Sequence, residues 1–284
     1  MTLQNRNGDK EASPITLRLK EPTSIPIEAD TVSPDHFIGR SLKDIAALPV
    51  YFGRRKRNLG DVFHIEGEES DQVIVEGDLA HVKKIGYGMT RGRIVIRGNV
   101  GQHTGACMRG GEIIVEGHVA DRAGIHMEGG RLWIKGNAGH LLGAAYPGER
   151  RGVNRGVIIV EGNVGSETGA FMRRGLIVVM GDTGEFVGAR MIAGSVFVFG
   201  HLGKRAGAGM KRGSIVAFGA CEPLLPTYRF ESVFQPVFIR VFVNRLRQWG
   251  LPVNIERTEG LFRRYSGDIT ALGKGEILIY DSNE

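Results

Sequence analysis

Cysteine is nearly absent from this chain. Its 284 residues contain only Cys107 and Cys221, far apart and in no C-x-x-C spacing. That excludes a disulfide framework, and a zinc or iron–sulfur centre built from these cysteines alone. Aromatic residues are few, at 7%, and no basic segment interleaves them, so no nucleic-acid module is indicated. No apolar run approaches the ~18 residues needed to cross a bilayer. The opening MTLQNRNGDKEASP lacks the apolar core of a secretory signal. A soluble, cytoplasmic protein with neither nucleic acid nor membrane as partner is expected.

Catalytic signatures are missing too. There is no H-x-H, no H-E-x-x-H, no G-x-S-x-G and no paired-carboxylate pattern, so no catalytic residue and no metal ligand is assigned. Gly267–Lys274, GDITALGK, imitates a phosphate loop. It has five residues between its glycines and no Ser or Thr after the lysine, so it fails as one.

Glycine, by contrast, is abundant, with 43 residues, and it is periodic. Units begin at Arg93, Glu112, Arg131, Val157, Leu176, Ser195 and Ser214, every 19 residues except for one seven-residue insertion. One unit reads EIIVEGHVADRAGIHMEGG, another VIIVEGNVGSETGAFMRRG. A fixed period of this size marks a solenoid, whose repeats bury their apolar faces by stacking. Glycines this frequent would cost a helix ~1 kcal/mol each relative to alanine. The β-branched apolar run that opens each unit therefore reads as a short strand. The expected fold is all-β: a right-handed parallel β-helix of about 19 residues per coil with a C-terminal amphipathic helix. At ~4.8 Å per coil its rod is on the order of 35–40 Å long.

The columns of this stack are readable. The second and fourth positions of each unit, from Ile94/Ile96 to Ile215/Ala217, should point inward. Position 16 collects Met108, Met127, Met172, Met191 and Met210, with Met89 one unit earlier and Tyr146 in the interrupted unit. It is expected to be an internal ladder of gap-filling thioethers. Position 7 is Asp78, Asn99, His118, Asn137, Asn163, Asp182 and His201. These types tolerate left-handed turns, so the two histidines read as turn residues.

Position 3 should face outward, yet it is apolar throughout: Val95, Ile114, Trp133, Ile159, Val178, Phe197 and Val216. Such a stripe must be covered by the chain itself or by a partner. A helix over Pro236–Trp249, apolar at Ile239, Phe242, Leu246 and Trp249, can cover part of it. It is ~20 Å long. The remainder, with Val95, Ile114, Trp133, Ile159, Val178 and Phe197 as candidates, is an expected protein–protein interface.

Four segments follow: an unstructured tail at 1–14, a capping segment at 15–71, the glycine-punctuated repeats at 72–220, and a closing helix and strand at 221–284. The cap should hold strands at Ile15–Leu19 and Val62–Ile65 and a short helix near Ser41–Leu48. The chain should close with a strand at Glu276–Tyr280.

The net charge is +6, and basic residues gather at Arg173, Arg174, Lys211 and Arg212, with Arg109 in the same column. The inserted loop adds Arg150, Arg151 and Arg155. This is either a solvated edge or a docking strip for a polyanionic arm or an acidic partner.

The repeat GNVGQHTGACMRGGEIIVEGHVADRAGIHMEGG resembles the β-helical domain of glutamate synthase large subunits. It also resembles the C subunits of formylmethanofuran dehydrogenase and of the formyltransferase/hydrolase complex of aerobic methylotrophs. The loop GAAYPGERRGVNRG and the tail YSGDITALGKGEILIY fit this second group, and the resemblance covers roughly residues 60–280. It implies a role in one-carbon metabolism, here formaldehyde oxidation, as a scaffold without chemistry of its own. The implied partners are amidohydrolase-like, formyltransferase and dehydrogenase-B-like subunits. The complex would use zinc, a methanofuran-type carrier and tetrahydromethanopterin, none of them bound by this chain. The dehydrogenase would instead bring a molybdenum or tungsten pterin, and a glutamate synthase-like channel support would require an amidotransferase.

Overall fold

The computed structural model describes residues 13–253 and 259–281. Most of the tail expected at 1–14 lies outside the described residues. The chain opens with β1 (Ile15–Leu19), β2 (Ile27–Glu28), α1 (Pro34–Phe37), α2 (Leu42–Ala46), β3 (Pro49–Phe52), β4 (Arg55–Asn58), α3 (Leu59–Val62) and β5 (Phe63–Glu66). Ser41 caps α2 by accepting from the Asp44 amide. The expected strand at Val62–Ile65 begins one residue later, because Val62 ends α3.

The repeats follow as β6 (Gln72–Glu76), β7 (Val82–Lys83), β8 (Arg93–Arg97), β9 (Glu112–Val115), β10 (Arg131–Ile134), β11 (Val157–Val160), β12 (Leu176–Val179), β13 (Ser195–Val198) and β14 (Arg212–Ala217). Last come β15 (Arg229–Phe234), α4 (Phe238–Gln248), β16 (Phe262–Gly267) and β17 (Lys274–Tyr280).

The architecture is all-β, dominated by one large, mainly parallel sheet of 13 strands in the order β15-β16-β17-β14-β13-β12-β11-β10-β9-β8-β6-β1-β5. From β8 to β14 each strand lies parallel on the next, one unit apart and in register, as with Ile177 opposite Val196. A second parallel ladder runs beside it through Leu79, Val100, Val119, Ala138, Val164 and Thr183. Antiparallel strands close the sheet, β5 beyond β1 and the β16–β15 pair beyond β17.

The core follows the column logic. Ile94, Ile96, Ile113, Val115, Ile177, Val179, Val196 and Val198 are fully buried, as are Met89, Met108, Met127, Met172, Met191 and Met210. Tyr146 does not join the methionines. Val153, fully buried, takes that place. The Arg173 amide donates to the Val153 carbonyl as the Lys211 amide does to that of Met191. The seven extra residues therefore bulge out before the column position, which leaves the larger, polar Tyr146 half-buried at the surface.

Position 7 builds a polar ladder. The Asn99 side chain accepts from the His118 amide at 2.8 Å, His118 Nδ1 from the Asn137 amide at 2.9 Å, and Asn137 from the Asn163 amide at 2.8 Å. Asn163 then accepts from Asp182, and Asp182 from His201. Each otherwise orphaned turn amide is satisfied by the unit below it.

A second apolar core lies on the outer face. Ile239, Val243 and Leu246 of α4 pack on Ile159, Val178, Phe197, Val216 and Phe218, with Leu251 and Val253 from beyond the helix. Phe242 meets Phe197 edge-on at 5.2 Å between ring centroids. Val243, not Phe242, is the fully seated central residue, and Gly250 (φ +89°) ends the helix. No helix among the described residues is long and apolar enough to cross a membrane.

Candidate functional site

Three surface features are built by the stack, and each consists of one or two columns of the repeat. The first is the basic row. Backbone bonds from Arg109 to Met89, Asn154 to Met127, Arg173 to Val153, Ile192 to Met172 and Lys211 to Met191 set these residues one above another. Arg155, Arg174 and Arg212 lie one residue further along, separated only by Ala193 of the intervening unit. The structure therefore brings Arg155, Arg173, Arg174, Lys211 and Arg212 onto one edge. Arg150 is exposed on the inserted loop, and Arg151 lines a 230 Å³ hollow with His126, Glu128, Glu149 and Asn154. Among the described residues none of these seven cations has an acidic partner, whereas Arg109 is paired with Glu128 at 3.3 Å. Cations stacked at strand spacing repel one another, so this edge is electrostatically unfinished.

The second feature is the apolar stripe, and here the sequence expectation needs correction. Ile159, Val178 and Phe197 are fully buried beneath α4 and its flanking segments. They form an intramolecular interface and cannot present a free surface. The half-buried remainder is Val95, Ile114 and Trp133, with Ile74 of β6 continuing it downward. Trp133 borders the covered region, donating to Glu161 at 2.7 Å, while Arg131 stands over the Trp249 ring at 5.0 Å.

The third feature was not legible in the sequence. Non-glycine residues with positive φ recur in two columns. One is Lys84, His103, Arg122, Leu141, Glu167, Phe186 and Arg205, and the other is Cys107, His126, Phe171 and Arg190. These left-handed positions turn their side chains out along one face. The lower part of this face gathers His103, His126 and Tyr146. His103 Nδ1 lies 3.1 Å from the Tyr146 hydroxyl, and their rings stack at 5.6 Å. Burial, reinforced by Arg122, Lys84 and Lys83, holds the His103 imidazole below its ordinary pKa. Burial pushes the Tyr146 phenol up to about 12 and the Cys107 thiol above its usual range. A neutral imidazole against a neutral phenol is a hydrogen-bonded clamp, and it pins the inserted loop to the stack. The 19-residue spacing of His103 and Arg122, and of Cys107 and His126, aligns them in columns but does not mark their backbone as left-handed.

The imitation phosphate loop is a tight turn. Asp268, buried, accepts from the Gly209 amide at 3.0 Å and from the Thr270 amide and hydroxyl at 2.9 and 2.6 Å. Burial opposes its ionisation, but these donors outweigh it and keep the carboxyl below the ordinary range. Among the described residues no group of three or more His, Cys, Asp or Glu is gathered as a metal ion would need.

Fold and surfaces together define a class: a repeat-built all-β protein whose distinctive features are edges and faces repeated along a stack. Comparison with known proteins narrows this. The chain is similar to a chain in the crystal structure of the formyltransferase/hydrolase complex from Methylorubrum extorquens in complex with methylofuran. That likeness is 34% identity at a TM-score of 0.88, over 94% of this chain and 99% of that one. It is also 38% identical over 99 residues to the C subunit of the tungsten-containing formylmethanofuran dehydrogenase 2 of Methanothermobacter wolfeii. To the C subunit of the molybdenum-containing formylmethanofuran dehydrogenase 1 of Methanothermobacter thermautotrophicus it is 48% identical over 88 residues. These alignments take in 33% and 30% of this chain and span only 37% and 22% of the two relatives. No family model matches the chain. The chain belongs to the family formed by the C subunits of formylmethanofuran dehydrogenase and of the formyltransferase/hydrolase complex.

Proposed function

We propose that this chain is the non-catalytic scaffold subunit of a cytoplasmic formyltransferase/hydrolase complex that moves formyl groups between tetrahydromethanopterin-type and methanofuran-type carriers. The single observation that carries this reading is the likeness to a chain of such a complex over almost the full length of both. The scaffold is a right-handed parallel β-helix over 72–220. Its support is the one-unit register from β8 to β14 and the second parallel ladder beside it. Residues 15–71 cap one end and 221–284 close the other. The expected partners are amidohydrolase-like, formyltransferase and dehydrogenase-B-like subunits, with zinc and both carriers held outside this chain. The half-buried stripe of Val95, Ile114 and Trp133 is the docking face for one of them. The row of Arg155, Arg173, Arg174, Lys211 and Arg212, with Arg150 and Arg151 of the loop, guides the anionic arm of the carrier or an acidic partner.

A second reading has its own observation. The 48% identity to the C subunit of a molybdenum-containing dehydrogenase, though confined to 88 residues, favours a formylmethanofuran dehydrogenase assembly. Purification of the native chain with its partners, followed by mass spectrometry and metal analysis, separates the two. Zinc with an amidohydrolase and a formyltransferase, without molybdenum or tungsten, supports the first reading. A molybdenum or tungsten pterin with iron–sulfur subunits supports the second, and a lone stable monomer overturns both.

A further inference from the structure

The segment Gly53-Arg54-Arg55-Lys56-Arg57 lies in the N-terminal cap, in a small sheet joined to the repeat through β7. It forms the turn and return strand of the β3–β4 hairpin, with Tyr51 opposite Lys56 and Phe52 opposite Arg55. Every residue of β4 is exposed. The strand is the outermost in its own sheet of order β4-β3-β2-β7, so one of its edges has no neighbouring strand among the described residues. Three consecutive cations thus stand on an open edge with a fourth, Arg54, in the turn before it, and none has an acidic partner among the described residues. Arg57 lies 5.8 Å over the Phe52 ring. Both residues border a 310 Å³ hollow whose apolar floor is Ile27 and Val62 and whose rim holds Lys20 and the exposed Glu21. Asp61 also borders the hollow, but its carboxylate already accepts from the Asn58 amide at 3.0 Å in the cap of α3.

An open edge recruits another strand by main-chain hydrogen bonds, and its side chains select which strand. Cations at three successive strand positions, and a fourth in the turn, repel a second copy of β4 and favour a strand rich in carboxylates. The chain's own N-terminal residues do not supply one, because Arg6 and Lys10 balance Asp9 and Glu11. We propose that β4 is a docking edge for an extended acidic segment of a partner subunit. Its carboxylates would lie among Arg54, Arg55, Lys56 and Arg57, and one apolar side chain would enter the hollow beside Phe52.

The test uses the full-length chain and a fluorescein-labelled peptide, Glu-Val-Glu-Val-Glu-Val-Glu, followed by fluorescence anisotropy. Binding is expected, weakening as salt screens the charges. Arg55→Glu/Arg57→Glu should weaken it at least tenfold with the melting temperature unchanged, and Arg55→Gln/Arg57→Gln should fall between. A peptide N-methylated at alternate residues should lose binding, since its backbone can no longer pair. Reversing Arg173, Arg174 and Arg212 should leave peptide binding intact. The proposal is overturned if the peptide does not bind, if reversal on β4 has no effect, if reversal on the other row abolishes binding, or if the N-methylated peptide binds equally well. A 12-nucleotide single-stranded RNA that binds more tightly and displaces the peptide would make β4 a nucleic-acid surface instead.

Discussion

The terminal methyl of Met191 fills the space that a side chain on Gly213 would need. A Cβ built on Gly213, where φ is +101°, would stand 2.7 Å from Met191 Cε. The same relationship joins Met89 to Gly111 at 2.6 Å, Met108 to Gly130 at 2.7 Å and Met172 to Gly194 at 2.8 Å. In the interrupted unit Val153 meets Gly175 at 3.1 Å, and at the end of the stack Met210 meets Gly275 of β17 at 2.7 Å. A flexible thioether fills the gap at each of these glycines except Gly175, where Val153 does.

This coupling is testable by a double-mutant cycle. Met191→Ala should cost about 2–5 kcal/mol as a core truncation. Gly213→Ala should cost about 1–3 kcal/mol from its backbone conformation, plus clashes with Met191 and with the Gly194 carbonyl oxygen, also 2.7 Å away, of which only the first depends on Met191. Because Met191→Ala removes that clash, the double variant should lose less than the sum of the two, measured by urea denaturation. Strict additivity would mean that the two residues do not share this space.

The polar ladder makes a smaller, local prediction. Asn163→Ala removes the acceptor for the Asp182 amide, a 2.8 Å bond. The expected loss is about 1 kcal/mol. Hydrogen exchange should quicken at the Asp182 amide and not at the amides of β12. Uniform quickening would instead indicate global destabilisation.

Much of this arrangement was legible in the sequence because stacking enforces one residue type per column. The inward alternation of Ile177/Val179 and Val196/Val198 and the methionine ladder follow from period alone. Tyr146 misled because counting within an interrupted unit does not say where seven extra residues leave the stack. Only packing does, and Val153 fits under Gly175 where a tyrosine would not. The left-handed columns were hidden for a different reason. Cys107, Leu141, Phe171 and Phe186 are ordinary L residues, and nothing in their type announces positive φ. The fate of Ile159, Val178 and Phe197 depended on where α4 comes to rest, which repeat periodicity does not encode.

His103 gives a pH dependence. Its folded pKa is depressed, chiefly by burial, below the ~6.5 of an exposed histidine. The stability held by its neutral form is therefore complete above ~6.5 and is lost as pH falls through the lower folded value. Melting temperatures across pH 5 to 7.5 should decline more steeply on acidification for the native chain than for His103→Gln. Parallel curves would remove His103 from the account.

The two halves of the apolar stripe should answer differently to the same chemistry. Val178→Glu buries a carboxylate beneath α4, with no partner for the charge, and should unfold or severely destabilise the chain. Ile114→Glu alters a half-buried residue on the open part of the stripe. It should leave far-UV circular dichroism and melting nearly unchanged while weakening copurification of partner subunits. Retention of all partners by a folded Ile114→Glu chain would show that this face is not the docking surface.

The basic row can be separated from assembly. Arg155, Arg173, Arg174, Lys211 and Arg212 lie on one edge, and none has an acidic partner among the described residues, so their charge is available to a polyanion. Reversing Arg173, Arg174 and Arg212 to Glu relieves like-charge repulsion along the row and touches no buried residue, so folding should be unaffected. If the row guides the carrier's anionic arm, the assembled complex should remain intact by size-exclusion chromatography. Its apparent KM for the carrier should then rise about tenfold or more at low ionic strength, and the difference should shrink as salt screens the native charges. Unchanged carrier kinetics at low salt would leave the row as a solvated edge. Dissociation of the complex would assign it to partner docking.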